Sequence, residues 1–327
     1  PAGILVGAGA VVDTAGFVAS TLNLSNSDFQ AGKLNFTATP GAGKLENYGT
    51  IRTPSGGSIY LVGPQVENHG IINAPNGEVL LAAGQTIQLV DTATPGVRVE
   101  ITADKEQALN LGQLLAESGR IGVVGAVVKH SGKISASGVT QEGGRVFLKA
   151  TQDAYVERGG VIEASGTKGG QIDVLGNRVA LTDQASLDTS GAQGGGTIRV
   201  GGDYQGKNPE IQNATISYVG KDAALKADAT DKGDGGKVIV WADDTTRMYG
   251  AISAKGGAQA GDGGFVETSG KYLDVTRAPD ASAPNGRGGQ WLLDPLAITI
   301  AVASGASGNT GAVSPFTPTV AGTASIL

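Results

Sequence analysis

Two adjacent carboxylates with a nearby guanidinium are the clearest candidates for catalysis in this chain. Asp243 and Asp244 are followed by Arg247, a set that offers general acid–base chemistry and a cation to polarise a uronate. However, Trp241-Ala242 before them indicates a strand that runs into a turn, so the two carboxylates are expected to point in opposite directions. The sequence also contains no cysteine, which excludes cysteine nucleophiles. We therefore do not expect an enzyme.

The histidines and the other acidic pairs add no further site. His69 and His130 stand in glycine-containing turns, where solvated side chains are expected, and the Gly-His-Gly of pectin-degrading families is absent. Asp231 and Asp234 resemble calcium ligands only in being acidic, because the glycine-rich nonapeptide of calcium β-rolls is missing. The sequence therefore predicts no catalytic residue, no metal site and no cofactor.

The elements that would position any site repeat along the second half of the chain. Each repeat has a Gly-Gly pair followed by alternating apolar residues, with second glycines at Gly144, Gly170, Gly196, Gly236 and Gly264, in steps of 26, 26, 40 and 28 by subtraction. Repetition at 20 to 50 residues is typical of solenoids, and alternation indicates strands. The inward residues are predicted to stack as Val146, Ile172, Ile198, Val238 and Val266, with Leu148, Val174, Val200 and Val240 in the next column.

The first half shows a shorter repeat marked by asparagine. Asn47, Asn68 and Asn110 each stand two residues before a glycine, and His130 occupies the same phase. Their side chains either stack as a ladder or act as independent turn formers, and the sequence leaves both open. Together the two halves predict an all-β parallel β-helix with coils of about 20–28 residues. The one helix expected spans 105–118.

The step of 40 residues between Gly196 and Gly236 exceeds the neighbouring steps and predicts an insertion at Gly202 to Val219. Insertions in solenoids map to one face and often carry binding. The alternative is a loop that only packs its tyrosines on the flank. The candidate binding residues are Asp203, Tyr204, Lys207 and Tyr218.

Composition limits the class of partner. The chain has 24 Lys and Arg against 30 Asp and Glu, for a net charge of −6, which is the wrong sign for a nucleic-acid binder. No apolar run reaches the length of a membrane-spanning helix. The sequence therefore predicts a protein that neither binds nucleic acid nor spans a membrane.

Several short motifs resemble those of one family. They are Pro1-Ala2-Gly3-Ile4-Leu5-Val6-Gly7, Phe17-Val18-Ala19-Ser20-Thr21-Leu22, Gly201-Gly202-Asp203-Tyr204-Gln205-Gly206, Val240-Trp241-Ala242-Asp243-Asp244, Gly263-Gly264-Phe265-Val266-Glu267-Thr268 and Trp291-Leu292-Leu293-Asp294-Pro295. In combination they resemble the haemagglutination-activity region and following repeats of filamentous-haemagglutinin-type exoproteins, the secreted partners of two-partner secretion systems in Gram-negative bacteria. Pro1-Ala2-Gly3 is similar to the end of that family's Asn-Pro-Asn-Gly turn, so the chain is expected to be an internal fragment.

The resemblance implies a right-handed parallel β-helix exported by an outer-membrane transporter. It further implies a secreted or cell-surface adhesin stalk for attachment, aggregation or biofilm-matrix binding, with an extracellular polysaccharide or a receptor on a host or neighbouring cell as ligand. Two alternatives remain open: a polysaccharide lyase or hydrolase on a β-helix, and the shared N-terminal part of a contact-dependent toxin-delivery exoprotein.

The expected domains follow the repeats. Residues 1–125 form the C-terminal part of the secretion and haemagglutination-activity domain, 126–300 continue the β-helix, and 301–327 form a linker or the start of the next region. Trp291 and the two leucines after it are bulky for this chain. They are therefore predicted to cover the end or flank of the repeat array, where the core is most exposed to water.

Overall fold

Short parallel strands on three faces form the body of the protein. The computed structural model describes residues 2–91, 97–139, 142–296, 299–300 and 325–326. Along each coil the chain passes through the second face, then the third and then the first. Equivalent strands of successive coils pair in parallel. The predicted parallel β-helix is confirmed.

The strands differ in length between the faces. The first face contains Phe17–Ser20, Ser58–Gly63, Glu78–Ala83, Gln171–Leu175, Thr197–Val200, Lys237–Trp241, Phe265–Ser269 and Gln290–Leu292. The second face contains Ile4–Val6, Leu45–Asn47, Gln65–Asn68, Gln107–Asn110, Arg178–Leu181, Ile216–Val219, Thr245–Met248 and Tyr272–Val275, and the short Ser325–Ile326 pairs with its last strand and with Thr299–Ile300. Two long strands, Arg120–His130 and Arg145–Val156, run through both faces. The third face contains Val11–Asp13, Thr50–Arg52, Ile71–Asn73, Gln113–Leu115, Lys133–Ser135, Val161–Glu163, Ser186–Asp188, Ala224–Lys226 and Ala251–Ser253.

Inward side chains of the first face stack in register along the axis, as alternation on a strand requires. One column runs through ten rungs of the described residues: Phe17, Ile59, Val79, Ile121, Val146, Ile172, Ile198, Val238, Val266 and Trp291. Its inner members are fully buried, and Phe17 and Trp291 at the ends are half-buried. The predicted column from Val146 to Val266 is confirmed, as is the neighbouring one from Leu148 to Val240.

Close packing between coils explains the repeated glycines. A Cβ atom placed on Gly144, Gly170, Gly196, Gly236 or Gly264 would lie 2.1 Å from the carbonyl oxygen of the equivalent glycine one coil earlier. Real Cβ atoms do not approach oxygen this closely, so no other residue fits without moving the coil. The repeated glycines in the sequence therefore mark the corners of the coils, where the backbones of successive coils pack too closely for a side chain.

An antiparallel side sheet lies against the flank of the first half, and the sequence did not predict it. Its strands are Asn23–Leu24, Leu34–Thr37, Thr86–Asp91 and Val97–Thr102, and the short α-helix Asn26–Gln30 follows the first of them. Phe36 and Ile87 of the side sheet pack on Tyr60 and Leu80, which face outward from the first face. These outward residues are buried because the side sheet covers them.

Two predicted elements are wrong. The helix expected over 105–118 is absent, because Gln107–Asn110 and Gln113–Leu115 pair with neighbouring coils as strands. The insertion expected to end at Val219 is shorter, because Ile216–Val219 pairs in parallel with the coils on both sides. Val219 is fully buried in that strand, so only the residues between Val200 and Ile216 leave the coil.

The predicted linker 301–327 falls largely outside the described residues. Within the part of the chain that the structure describes, no helix has the length and apolar character to cross a membrane.

Candidate functional site

The inserted loop begins and ends at a closely packed neck. Gly201 has a positive φ of 77°, and a Cβ there would lie 2.0 Å from the Ser217 hydroxyl, so glycine alone suits this position. The Ala214 N–H donates to the Gly201 carbonyl at 2.6 Å, which closes the neck. The loop therefore leaves the helix at a fixed angle and rejoins it at Ile216.

Asp203 organises the first turn of the loop. Its carboxylate accepts hydrogen bonds from the Tyr204 N–H and the Asn208 amide, both at 2.8 Å, and lies 3.1 Å from Arg199 Nε. Burial raises the pKa of Asp203, but these hydrogen bonds and the Arg199 charge outweigh it and place the pKa below its ordinary value. Asp203 is thus a buried support of the loop, with its oxygens already occupied by protein groups.

Tyr204 and Lys207 are the exposed members of the predicted binding set. The Tyr204 ring packs edge-on to Phe265 with centroids 5.8 Å apart, and Lys237 Nζ lies 5.3 Å from the Tyr204 centroid. Lys207 Nζ donates to the Gln205 side chain at 2.8 Å. Two aromatic rings and a cation therefore form a half-exposed cluster beside the loop.

Tyr218, the fourth predicted residue, belongs to the coil. It lies in the strand Ile216–Val219 and packs edge-on to Tyr249, with centroids 5.8 Å apart. The Tyr249 hydroxyl donates to Asp274 at 2.6 Å, and this hydrogen bond raises the pKa of Tyr249 to about 12. The binding role predicted for these residues stays a prediction.

The underside of the loop rests on a buried carboxylate that the sequence gave no reason to single out. Glu267 is fully buried and accepts the Gln205 N–H at 3.2 Å on each oxygen. Burial raises the pKa of Glu267 above its ordinary value, and the hydrogen bonds oppose this shift only in part. The loop therefore covers the outward side of the first face.

One of the two carboxylates considered for catalysis supports the same loop. Asp243 Oδ1 accepts from Trp241 Nε1 at 2.9 Å and from the Asn213 amide at 3.0 Å. Asp244 accepts from the Thr245 hydroxyl at 3.3 Å. Asp243 is thus engaged in holding Asn213, and no group of three or more acidic, His or Cys residues is placed to hold a metal anywhere in the described ranges.

A second feature is a buried ladder of polar side chains in the first half. Asn47 Nδ2 donates to Asn68 Oδ1 and Asn68 Nδ2 to Asn110 Oδ1, both at 2.8 Å, and Asn47 Oδ1 also accepts the Gly49 N–H at 3.1 Å. The asparagines therefore both stack as a ladder and bond to turn backbone.

His130 ends this ladder. Its Nδ1 lies 3.1 Å from Asn110 Nδ2, and its Nε2 lies 3.0 Å from the Val161 carbonyl. Nδ1 must accept and Nε2 must donate, which fixes the neutral tautomer. The expectation of a solvated His130 is wrong, because the ring replaces an asparagine at the same inward position and is fully buried.

The fold and the ladder define a parallel β-helical domain, and the comparisons identify its family. Residues 1–164 match the family model of the TPS secretion domain. The structure is similar to that of the HMW1 secretion domain from Haemophilus influenzae, with a TM-score of 0.77 and 35% sequence identity over 89% of this chain and 78% of that one. No curated protein matches the chain.

The chain belongs to the TPS secretion domain family, the export domain of two-partner-secretion exoproteins. The family is not an enzyme family. Membership implies secretion from a Gram-negative bacterium through an outer-membrane TpsB transporter. The domain boundary predicted at residue 125 stays a prediction.

Proposed function

We propose that this chain forms part of the stalk of a surface-attached bacterial adhesin that mediates attachment, aggregation or biofilm-matrix binding. The main support for this proposal is the unbroken column of ten rungs from Phe17 to Trp291. At about 4.8 Å between neighbouring strands, it makes a rod roughly 43 Å long. Such a rod holds a binding region away from the surface to which it is attached.

The glycine corners support the same proposal. Because each coil packs directly on the next, stability is shared between nearest neighbours and the rod can extend by adding coils. The inserted loop supplies a surface that protrudes from this rod, with Tyr204 and Lys207 exposed. A rigid shaft with a protruding loop is suited to contact with a partner.

The proposal is tested with beads coated with the purified chain. We expect such beads to be retained on a biofilm of the producing bacterium, or on its cells, more strongly than beads coated with albumin. A chain with both Tyr204→Ala and Lys207→Ala measures the contribution of the loop, while beads carrying Tyr272→Ala, an exposed ring elsewhere, serve as the matched control. Retention of coated beads no greater than that of albumin beads would contradict an adhesive role.

A further inference from the structure

A continuous groove follows the glycine corner along most of the rod. Two cavities of about 620 and 730 Å³ share Gly195, Gly196 and Thr197. Together they run from Gly56 in the first half to Gln290 near the last rung. The groove exists because the corner glycines carry no side chain, so the packing that requires glycine also leaves a channel open to solvent.

The floor of this groove is backbone whose hydrogen bonds are already made. The Gly170 N–H donates to the Ala164 carbonyl at 2.7 Å, and the Gly170 carbonyl accepts the Thr197 N–H at 2.9 Å. The same pattern recurs at Gly196, which donates to Thr189 and accepts from Lys237. A peptide strand could not pair with these satisfied groups, so a ligand must be recognised by the side chains on the walls.

The wall on the strand side is a register row of mostly polar residues. The row is Ser58, Glu78, Arg120, Arg145, Gln171, Thr197, Lys237, Phe265 and Gln290. Side chains that can donate or accept a hydrogen bond therefore recur at every coil of this row except that of Phe265, about 4.8 Å apart. This regular spacing suits a polymer with its own repeat, lying parallel to the axis.

The charges along the groove are largely balanced. Arg287 is paired with Asp262 at 2.9 Å, and Arg145 with Asp173 at 3.4 Å. Glu142 on the opposite wall lies 3.8 Å from Lys168. The lining carries four positive and four negative side chains: Arg120, Arg145, Lys237 and Arg287 against Glu78, Glu142, Asp234 and Asp262. The groove therefore gives no strong preference to an acidic polymer. A neutral, hydroxyl-rich chain fits this lining.

A half-exposed aromatic platform lies toward the C-terminal end of the groove. Phe265 is part of the wall, and it packs against Tyr204 of the inserted loop with Lys237 Nζ 5.9 Å from its centroid. An aromatic face offers apolar contact to the C–H side of a sugar ring, while neighbouring polar groups bind its hydroxyls. The groove thus combines the two contacts that a sugar requires.

We infer that the glycine-corner groove binds an extended neutral polysaccharide that lies along the rod, with Phe265 as its stacking platform. This inference rests on the proposed adhesive function and names the class of its ligand. Thr197 lies where the two cavities meet, so a ligand longer than a few sugar units must pass it.

Isothermal titration calorimetry with the whole chain tests this inference. The probes are cellohexaose, maltohexaose and hexa-N-acetylchitohexaose, each compared with its disaccharide and with heparin. We expect at least one hexasaccharide to bind with about 10-fold higher affinity than its disaccharide. We also expect Phe265→Ala and the groove-filling Thr197→Trp each to weaken binding by about 10-fold or more, and Tyr272→Ala to leave binding unchanged.

Three results would overturn the inference: binding of none of the hexasaccharides, preferential binding of heparin, or unchanged binding after Thr197→Trp in a variant whose circular dichroism is native. Beads coated with the natural chain separate the two proposals. If these beads are retained on the biofilm while the natural chain binds none of the sugars, the groove inference fails and the adhesive function stands.

Discussion

One inward column of the second face begins at Val6, is polar through the rest of the first half of the rod and is aliphatic in the second half. Asn47, Asn68, Asn110 and His130 form the polar part, and Val156 is in register directly above His130. From there the column continues with Leu181, Val219, Met248 and Val275. The same fold therefore uses directional hydrogen bonds in one half and shape packing in the other.

The difference concerns how strictly each half fixes the register of its coils. An amide can satisfy its neighbour only when the coils are aligned, whereas aliphatic side chains tolerate small changes of partner. The polar half also carries the side sheet over its outward face, while the aliphatic half carries the inserted loop. All the ladder residues lie within the matched residues 1–164. We expect the first half to be the more sensitive to single substitutions in its core.

The largest effect is expected from breaking the ladder at its centre. Asn68→Leu leaves Asn47 Nδ2 and Asn110 Oδ1 without their partners in the core. Each buried unpaired group costs about 1–3 kcal/mol, so we expect the free energy of unfolding to fall by about 4 kcal/mol. Urea unfolding followed by circular dichroism measures this. The matched change in the aliphatic part, Leu181→Met, should cost less than about 1.5 kcal/mol. Similar losses for the two variants would remove the contrast between the halves.

The next effect is a dependence of stability on pH that His130 introduces into the polar half. Burial lowers the pKa of His130 from its ordinary 6.5 to about 4, although its hydrogen bonds oppose the shift. The unfolded chain therefore takes up a proton at a higher pH than the folded chain. Stability is complete above pH 6.5 and is lost as the pH falls toward 4, by up to about 3 kcal/mol.

The contribution of His130 is isolated with His130→Asn, which extends the amide ladder and does not titrate. Urea midpoints at pH 7, 5 and 4 should fall more steeply for the natural chain than for this variant. Parallel pH curves would show that another group is responsible.

A smaller effect is expected at the C-terminal end of the aliphatic half. Trp291 is half-buried above Val266, and its Nε1 donates to the Thr268 hydroxyl at 2.9 Å. Trp291→Ala removes about 2 kcal/mol of stabilisation that burial of this side chain gives the last rung. Limited proteolysis should therefore cut the C-terminal coils before it cuts the first half of the rod. Tyr272→Ala, which removes an exposed ring, should leave the cleavage order as in the natural chain. Cleavage of both halves at equal rates would contradict an end-capping role for Trp291.

The smallest effect is expected from the loop, because it lies outside both columns. Tyr204→Ala removes an edge-on ring contact with Phe265, worth about 0.5–1.5 kcal/mol. The β-sheet signal in circular dichroism should be unchanged, and the melting temperature should fall only slightly. A large loss of sheet signal would show that the loop is part of the core.

The sequence predicted the repeating body of the fold better than its additions. Gly144 and its equivalents reveal the repeat, because packing at the corners permits only glycine. A glycine therefore recurs at the same position of each coil. The side sheet was missed because Thr86–Asp91 alternates like a coil strand, and alternation does not reveal which partner a strand will choose. The predicted insertion is too long because the polar Ser217 interrupts the apolar pattern of the strand at an inward position. Its hydroxyl donates to the Trp241 carbonyl at 2.6 Å.

The candidate site was predicted only in part. The length of the insertion singles out Asp203, Tyr204 and Lys207 as candidates. The sequence does not single out Glu267 beneath them, because a charged residue at an outward strand position is ordinarily solvated. His130 did carry a signal. It stands two residues before Gly132, as each ladder asparagine stands before its own glycine. The shared phase indicates an inward position, which outweighs the usual preference of histidine for solvent.

Hydrogen–deuterium exchange of Asn68→Leu, resolved by peptide, tests most directly whether the two halves are held by different interactions. We predict faster exchange in the coils from Leu45 to His130, with protection retained from Thr197 to Val275, because solenoid coils depend on their nearest neighbours. A uniform loss of protection along the whole rod, or none near residue 68, would contradict the account.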